Sequence, residues 1–169
     1  MARVSTKENK NIYQVTRENM DLSREKASEL MGTISEDRIE KIENEKCLAH
    51  PEEILIMADK YNTPDLCNYY CSKQCPIGEV YVPPINMKEL PSIILEMVAS
   101  LNSMGKKTER LIEISADGQI EDDELMDFVR IQEELERISI TVETLQLWSE
   151  KMMATGAIDM EKYKLYKNK

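Results

Sequence analysis

The stretch LSREKASELMGTISEDRIEKIE, residues 22–43, decides the fold of this chain. Small and apolar residues are spaced in it as in two short helices that pack around a tight turn, a helix-turn-helix arrangement. Ser23 and Ser35 stand where the N-caps of the two helices are expected, and Gly32 stands at the turn. The second helix reads SEDRIEKIENEK, with five acidic residues against three basic ones, so we expect it to present a predominantly acidic face.

Three further short helices are predicted around this stretch. One precedes it over residues 11–20, one begins at Pro51, a favoured first-turn residue, and one runs from Thr63 toward Cys71. No sustained alternation of apolar and polar residues predicts a strand. The sequence therefore predicts an all-α chain that opens with a five-helix domain over residues 1–75.

Residues 76–90, PIGEVYVPPINMKEL, are predicted to be a linker, because three prolines and a glycine deny them a continuous helix. Two long helices are predicted over residues 91–155, and Asp117 and Gly118 separate them as a helix stop. The result is a long antiparallel helical hairpin with coiled-coil seams, followed by a basic tail over residues 156–169. The predicted seams are Ile94, Met97, Leu101, Met104, Thr108 and Leu111, and Phe128, Ile131, Leu135, Ile138, Val142, Leu145 and Met152.

Two helices alone cannot bury so long an apolar stripe from both sides, so the hairpin needs a partner. The partner is either the N-terminal domain of the same chain or the hairpin of a second copy, which would give a four-helix bundle. Further apolar residues off the seams widen the face and favour self-association as a homodimer. These residues are Ile93, Val98, Ile112, Val129, Ile140 and Leu147.

The chain has no overall excess of basic residues. Its 169 residues carry 22 Lys and Arg against 32 Asp and Glu, a net charge of −10, whereas nucleic-acid binders are often basic. The acidity is concentrated after residue 75, where 18 acidic residues face 11 basic ones. No secretory leader and no membrane-spanning apolar run is recognised, so we expect a cytoplasmic protein without membrane contact.

The first 70 residues resemble the phage-repressor type of helix-turn-helix proteins, the Cro and CI group of XRE transcriptional regulators. The resemblance implies a compact five-helix DNA-binding domain. It also implies a partly buried, structural ion pair between Arg17 in the first helix and Glu43 at the end of the third. The matching residues are Arg17, Leu22, Ser23, Ala27, Ser28, Met31, Gly32, Ile34, Ser35, Ile39, Ile42 and Glu43, followed by the segment HPEEILIMADKY.

The same resemblance implies contacts with double-stranded DNA from the start of the second helix and the exposed face of the third. Two departures from the family pattern matter: Arg24 replaces the usual Gln but keeps a phosphate or base donor, whereas Glu36 and Asp37 bring negative charge toward phosphates and weaken the expected affinity. Thr33 also lengthens the turn, which affects the expected tilt of the third helix. The implied DNA-binding residues are Arg24, Ser35, Glu36, Asp37, Arg38 and Lys41, to which Lys46 adds charge.

The chain is thus predicted to be a sequence-specific DNA-binding transcriptional regulator that acts as a dimer. The alternative is a protein-interaction or scaffold module whose degenerate helix-turn-helix does not bind DNA. No phosphate-binding loop, metalloprotease motif or nucleophile elbow is present in the sequence. We therefore expect neither an enzyme nor a cofactor.

Two patterns could hold metal ions, although a structural interpretation explains each. Cys67, Cys71 and Cys75 recur every four residues, and with Cys47 and His50 they are candidates for a zinc site. In a cytosolic helical protein, however, reduced and buried cysteines are the more common case.

The turn EISADGQIEDDE, residues 113–124, matches part of a calcium-binding loop, but Glu113 stands at the first ligand position, where Asp is needed. A helix stop followed by an acidic helix start explains the same residues. No metal site is therefore assigned from the sequence.

Overall fold

The computed structural model describes residues 9–168, and this range is all-helical, with nine helices and no strand. None of the helices in the described range has the length and apolar character needed to cross a membrane. The first eight residues of the predicted N-terminal domain and Lys169 of the predicted tail lie outside the described residues. The helices are α1 (Ile12–Asn19), α2 (Arg24–Met31), α3 (Glu36–Glu43), α4 (Pro51–Lys60), α5 (Asp65–Lys73), α6 (Gly78–Tyr81), α7 (Leu90–Ile114), α8 (Leu125–Ala154) and α9 (Met160–Lys167).

The chain divides into two compact units. The first contains the residues up to Pro84 together with those from Ser149 onward, and the second contains Ile85–Trp148. The first unit is thus larger than the five-helix domain predicted over residues 1–75, because it also includes α6, the last turn of α8 and α9.

The core of the first unit is built from the apolar faces of α1 to α5. Tyr13 packs its ring edge-on against Tyr69, with centroids 6.0 Å apart, and its hydroxyl donates to Gln74 Oε1 at 2.8 Å. This bond ties α1 to the end of α5 and satisfies a polar group that burial would otherwise leave unpaired. The buried core residues are Tyr13, Ala27, Met31, Ile34, Ile39, Ile42, Ala49, Ile54, Met57, Ala58, Tyr61 and Leu66.

Helix α6 lies inside the segment predicted as a linker, and Gly78 fixes it against α5. A Cβ atom at residue 78 would stand 2.0 Å from the carbonyl oxygen of Cys71. Only glycine therefore allows this approach of the two backbones. Asn68 Nδ2 donates to the carbonyl of Pro83 at 3.1 Å, so the chain remains attached to α5 up to that proline.

The end of α8 also belongs to the first unit. Lys151 Nζ lies 2.9 Å from Asp65 Oδ2 at the start of α5. Beyond it, Gly156 adopts a left-handed conformation, and Asp159 caps α9 by accepting hydrogen bonds from the backbone N–H groups of Glu161 and Lys162. The segment predicted as a basic tail therefore contains a capped helix.

In the second unit, the long helices α7 and α8 pack together as an antiparallel pair. Ser103 and Lys107 of α7 reach Glu134 of α8 at 2.8 and 3.2 Å, and Arg110 reaches Asp127 at 2.9 Å. Residue numbers rise on one helix as they fall on the other, which is the antiparallel order.

The packing seam of this pair differs from the predicted one. Ile131 is buried and other members of the predicted seam are half-buried, namely Met97, Met104, Leu111, Phe128, Ile138 and Leu145. Leu135 and Val142 are exposed, however, while Glu134 and Thr141 one position earlier are buried. On α7, Ile94 and Leu101 of the predicted seam are likewise exposed. Polar residues can take the buried positions because their polar groups have partners, across the pair for Glu134 and within α8 for the threonines. The hydroxyls of Thr141 and Thr144, for example, each donate to the carbonyl four residues earlier in α8.

Candidate functional site

Helices α2 and α3 and the turn between them are fixed by local hydrogen bonds. The hydroxyls of Ser23 and Ser35 accept from the backbone N–H groups three residues later, which confirms both as N-caps. Gly32 ends α2 in a left-handed conformation with φ of 71°, and Ser28 Oγ donates to the carbonyl of Ile34 at 2.8 Å. Ile34 is buried while Thr33, which the resemblance predicted to lengthen the turn, is exposed at the surface.

The end of α3 is held by a buried charge cluster centred on Glu43. Arg17 donates from Nε to Glu43 Oε1 at 2.5 Å and from Nη2 to Oε2 at 2.9 Å, and its Nη1 donates to the carbonyl of Leu22. Arg24 Nε donates to the same carboxylate at 2.8 Å. Two guanidinium groups thus share one buried carboxylate, and Arg24, predicted as a DNA contact, connects α2 to α3.

Arg38 in the first turn of α3 is directed toward α4 and not outward. Its Nε and Nη2 donate to the two carboxylate oxygens of Glu53, each at 2.7 Å. Nη2 also donates to the carbonyl of Leu48 at 3.0 Å, and Nη1 lies 2.8 Å from Cys47 Sγ. All three guanidinium nitrogens have partners within the fold. Arg38 therefore joins α3 to the start of α4.

Glu53 is the partner that sequence reasoning missed. Its Oε2 also accepts from the backbone N–H of His50 at 2.7 Å. The hydrogen bonds from Arg38 hold the pKa of the Glu53 carboxyl below its usual value, against the opposing effect of burial. The only sequence signal for this role was the position of Glu53 in the first turn after Pro51. A glutamate at that position commonly accepts a hydrogen bond from the N-cap backbone.

The remaining basic residues of the predicted DNA surface are paired on α3 itself or just after it. Lys41 Nζ lies 2.7 Å from Asp37 Oδ2, and Lys46 Nζ lies 3.3 Å from Glu40 Oε1. The hydrogen bond to Asp37 raises the pKa of Lys41. Glu36 is exposed, so the outer face of α3 carries charges of both signs and has no basic cluster.

The cysteines and His50 form no metal-binding cluster in the described residues. Within residues 9–168, no group of three or more His, Cys, Asp or Glu side chains stands close enough to hold a metal ion, and the four cysteines are free thiols. Burial raises the pKa of Cys67, with smaller effects of the same sign from Cys71 and Glu150.

The Asp-Gly turn of the hairpin is explained by its own hydrogen bonds. Asp117 Oδ1 accepts from the backbone N–H of Gln119 at 3.0 Å, and Glu124 Oε2 accepts from that of Glu121 at 3.3 Å. Gly118 has φ of 75°. These bonds close the turn in the manner of a helix stop and a helix start.

Comparison with known proteins leaves this site to be interpreted from its own geometry. No protein-family model matches the chain, and neither the curated proteins nor the solved structures give a significant match.

Proposed function

We propose that the chain binds double-stranded DNA as a homodimer, through helix α3 of a helix-turn-helix of the phage-repressor type, and acts as a transcriptional regulator. The observation that carries the proposal is the fixing of α3 at both ends while its outer face stays exposed. Glu43 anchors the end of α3 through Arg17, and Arg38 anchors the start through Glu53. A helix held in this way can present its outer side chains to a groove without losing its orientation.

The charge pairs on α3 predict the character of the binding. A phosphate that contacts Lys41 must replace Asp37, and one that contacts Lys46 must replace Glu40. Each exchange reduces the gain from a phosphate contact, so one copy alone should bind weakly. Two copies on two half-sites supply the missing affinity.

The decisive experiment measures fluorescence polarisation of labelled duplexes over a salt series. We expect binding of random-sequence duplex at about 50 mM salt and a steep loss by about 200 mM, since phosphate contacts release counterions. Tighter binding is expected for duplexes selected by repeated enrichment. No binding at the low-salt end overturns the proposed regulator.

Lysine variants locate the contact surface. Lys41→Ala and Lys46→Ala should each weaken binding and reduce the slope of log K against log salt by about 1. Lys60→Ala is the matched control, because Lys60 is an exposed lysine in the same unit and is paired with a neighbouring carboxylate, Asp59. Equal effects of all three variants would show that α3 is not the contact.

A protein-interaction module is the second candidate, and the charge pairing favours it. Arg24, Arg38, Lys41 and Lys46 each contact a carboxylate of the same unit. A surface whose cations are already neutralised can meet another protein without the repulsion that phosphates would feel from Glu36 and Asp37. This candidate predicts that the low-salt DNA titration gives no binding.

A further inference from the structure

Helices α4 and α5, the end of α8 and the start of α9 surround a cavity of about 360 Å³ within the first unit. Small-molecule sites in proteins commonly have volumes of about 300–1,000 Å³ and mostly apolar linings. The apolar part of this lining includes Leu55, Ala58, Pro64, Cys67, Met153 and Met160. The cavity therefore has the size and the lining of a site for one small molecule.

The polar groups of the cavity carry negative charge. Asp59 and Glu150 contribute carboxylates and Asn62 contributes an amide, and no lysine or arginine is among the described residues that line the cavity. The thiol of Cys67 is uncharged near neutral pH, because burial raises its pKa, with smaller effects of the same sign from Cys71 and Glu150. The cavity thus combines an apolar wall with a net negative charge.

Glu150 is the carboxylate that remains available to a ligand. Asp59 Oδ2 lies 3.1 Å from Lys60 Nζ, so its charge is partly balanced. Lys151, the cation next to Glu150 in the sequence, pairs with Asp65 at 2.9 Å instead. Glu150 itself forms no ion pair with a basic side chain of residues 9–168. A cation in the cavity would supply the partner that the described fold does not.

We infer that this cavity binds a small amphipathic cation, an apolar molecule that carries one ammonium group. The ammonium group meets Glu150 and Asp59. The apolar body lies against Leu55, Met153 and Met160, and methionine side chains adapt to bodies of different outline. A ligand with a carboxylate would be repelled, and a neutral ligand would leave Glu150 without a partner. The inference goes beyond the proposed function and does not rest on it.

The surroundings of the cavity favour a small molecule over a protein as its occupant. A stable protein interface buries about 800 Å² on each partner around an apolar centre. Lys60, Thr155 and Glu161, which follow lining residues in the sequence, are polar and exposed. The apolar surface is therefore confined to the cavity and does not extend into the broad patch that a partner chain would need.

Nuclear magnetic resonance of isotope-labelled methionine methyl groups tests the inference on the full chain. The probe is phenylbutylamine, and its matched controls are phenylbutanol and phenylbutyrate, which carry the same apolar body with no charge or a negative one. We expect the amine to shift the Met153 and Met160 signals, the alcohol to do so more weakly, and the carboxylate to have the least effect. The signal of Met57, which is buried in the core, should stay in place.

Three results would overturn the inference. One is equal binding of the amine and the carboxylate, and another is the absence of any shift at Met153 and Met160. The third is a shift of these two signals when the chain is diluted without a probe, because a second copy would then occupy the cavity.

Substitutions locate the charge and the cavity. Glu150→Gln should weaken binding of phenylbutylamine by about two- to fivefold, as for an exposed ion pair, and leave binding of phenylbutanol unchanged. Glu29→Gln is the matched control, because Glu29 is an exposed glutamate of α2 that does not line the cavity. Ala154→Phe, at an exposed lining position, fills the cavity and should abolish binding of both. Amine binding that neither Glu150→Gln nor Ala154→Phe changes would contradict the inferred site.

The cationic ligand and the regulator fail separately, because the cavity and helix α3 lie on different sides of α4. Glu53, which contacts Arg38 of α3, and Leu55, which lines the cavity, are two positions apart, so their side chains leave α4 about 160° apart. A chain that binds DNA at low salt but not the amine overturns the cationic ligand alone. A chain that binds the amine in the cavity but no DNA at low salt overturns the regulator alone.

Discussion

Among the described residues, two glutamates are buried, one in each unit, and their surroundings differ. Glu43 in the first unit is enclosed with two guanidinium groups, and the side chain of its main partner, Arg17, is only 7% exposed. Glu134 in the second unit accepts from Ser103 and from Lys107, and the Lys107 side chain is 33% exposed. Both carboxylates are satisfied, but the main partner of Glu43 is buried, whereas Lys107, a partner of Glu134, can turn to water.

The difference teaches that the two units are organised by different forces. In the first unit a closed apolar core surrounds a closed charge cluster, so a change in either is felt throughout the unit. In the second unit two helices share one seam, and much of their apolar surface stays exposed. The tyrosine and tryptophan signals also report on the two units separately. All seven tyrosines lie in the first unit, and the single tryptophan, Trp148, lies in the second.

The largest effect is expected for Glu43→Gln. The substitution leaves the Arg17 guanidinium buried without a counter-charge, which typically costs about 3–5 kcal/mol. Urea unfolding followed by tyrosine near-ultraviolet circular dichroism should show this loss in the first unit. Trp148 fluorescence should keep its midpoint if the units unfold independently.

Glu40→Gln is the control for the loss of one negative charge on α3. Glu40 pairs with Lys46, both side chains are well exposed, and such pairs contribute no more than about 1 kcal/mol. A loss as large as that of Glu43→Gln would show that net charge, and not the buried cluster, governs the stability of the unit.

A smaller loss is expected for Arg38→Ala. Arg38 is 24% exposed at its side chain, and it joins α3 to Glu53 and to the carbonyl of Leu48. Removing hydrogen bonds to a charged partner typically costs about 1.5–3 kcal/mol, and partial exposure places the expectation near the lower end. Lys41→Ala, which removes an exposed pair on the same helix, should leave the unfolding midpoint nearly unchanged.

The dependence of the Arg38 effect on pH is a second control. The pKa of Glu53 in the folded chain lies below its ordinary value of 4.5, so the pair stabilises the fold fully above about pH 4.5. Its contribution is lost as the pH falls through the folded pKa. The stability difference between the parent and Arg38→Ala should therefore be constant near neutral pH and shrink below pH 4.5. A difference that persists at pH 2 would contradict the ion pair as its source.

The helices of the first unit could be predicted because local chemistry determines them. The hydroxyls of Ser23 and Ser35 cap the helices that follow them, and Gly32 adopts the left-handed conformation that ends α2. These roles depend on the residue types alone. The orientation of Arg38 could not be predicted. It stands next to Ile39 at the edge of the core face, where a long side chain can turn inward or outward. Its partner, Glu53, is fifteen residues away and comes into reach only after α4 has packed.

The seam of the hairpin could be predicted only in part, for a different reason. Apolar periodicity identifies the most apolar stripe of a helix, but it does not say which neighbour covers that stripe. In this chain the contact within the hairpin includes Glu134 and Thr141, while Leu101 and Leu135 remain exposed. The opposite charges of Lys107 and Glu134 were the available signal for the true contact side. The two residues could not be paired from the sequence, because the register of the two helices was not known.

The smallest effect is expected for Glu134→Leu, although Glu134 is as buried as many core residues. Lys107, whose side chain is 33% exposed, regains water when the carboxylate is removed. No charge is then left buried and unpaired, so the usual cost of breaking a buried pair does not arise. The unfolding midpoint followed by Trp148 fluorescence should therefore stay unchanged or rise by no more than about 4 °C. Glu133→Leu, at the exposed neighbouring position, controls for the gain of a leucine. A loss comparable to that of Glu43→Gln would mean that Lys107 and Ser103 cannot turn to water, just as the buried Arg17 cannot.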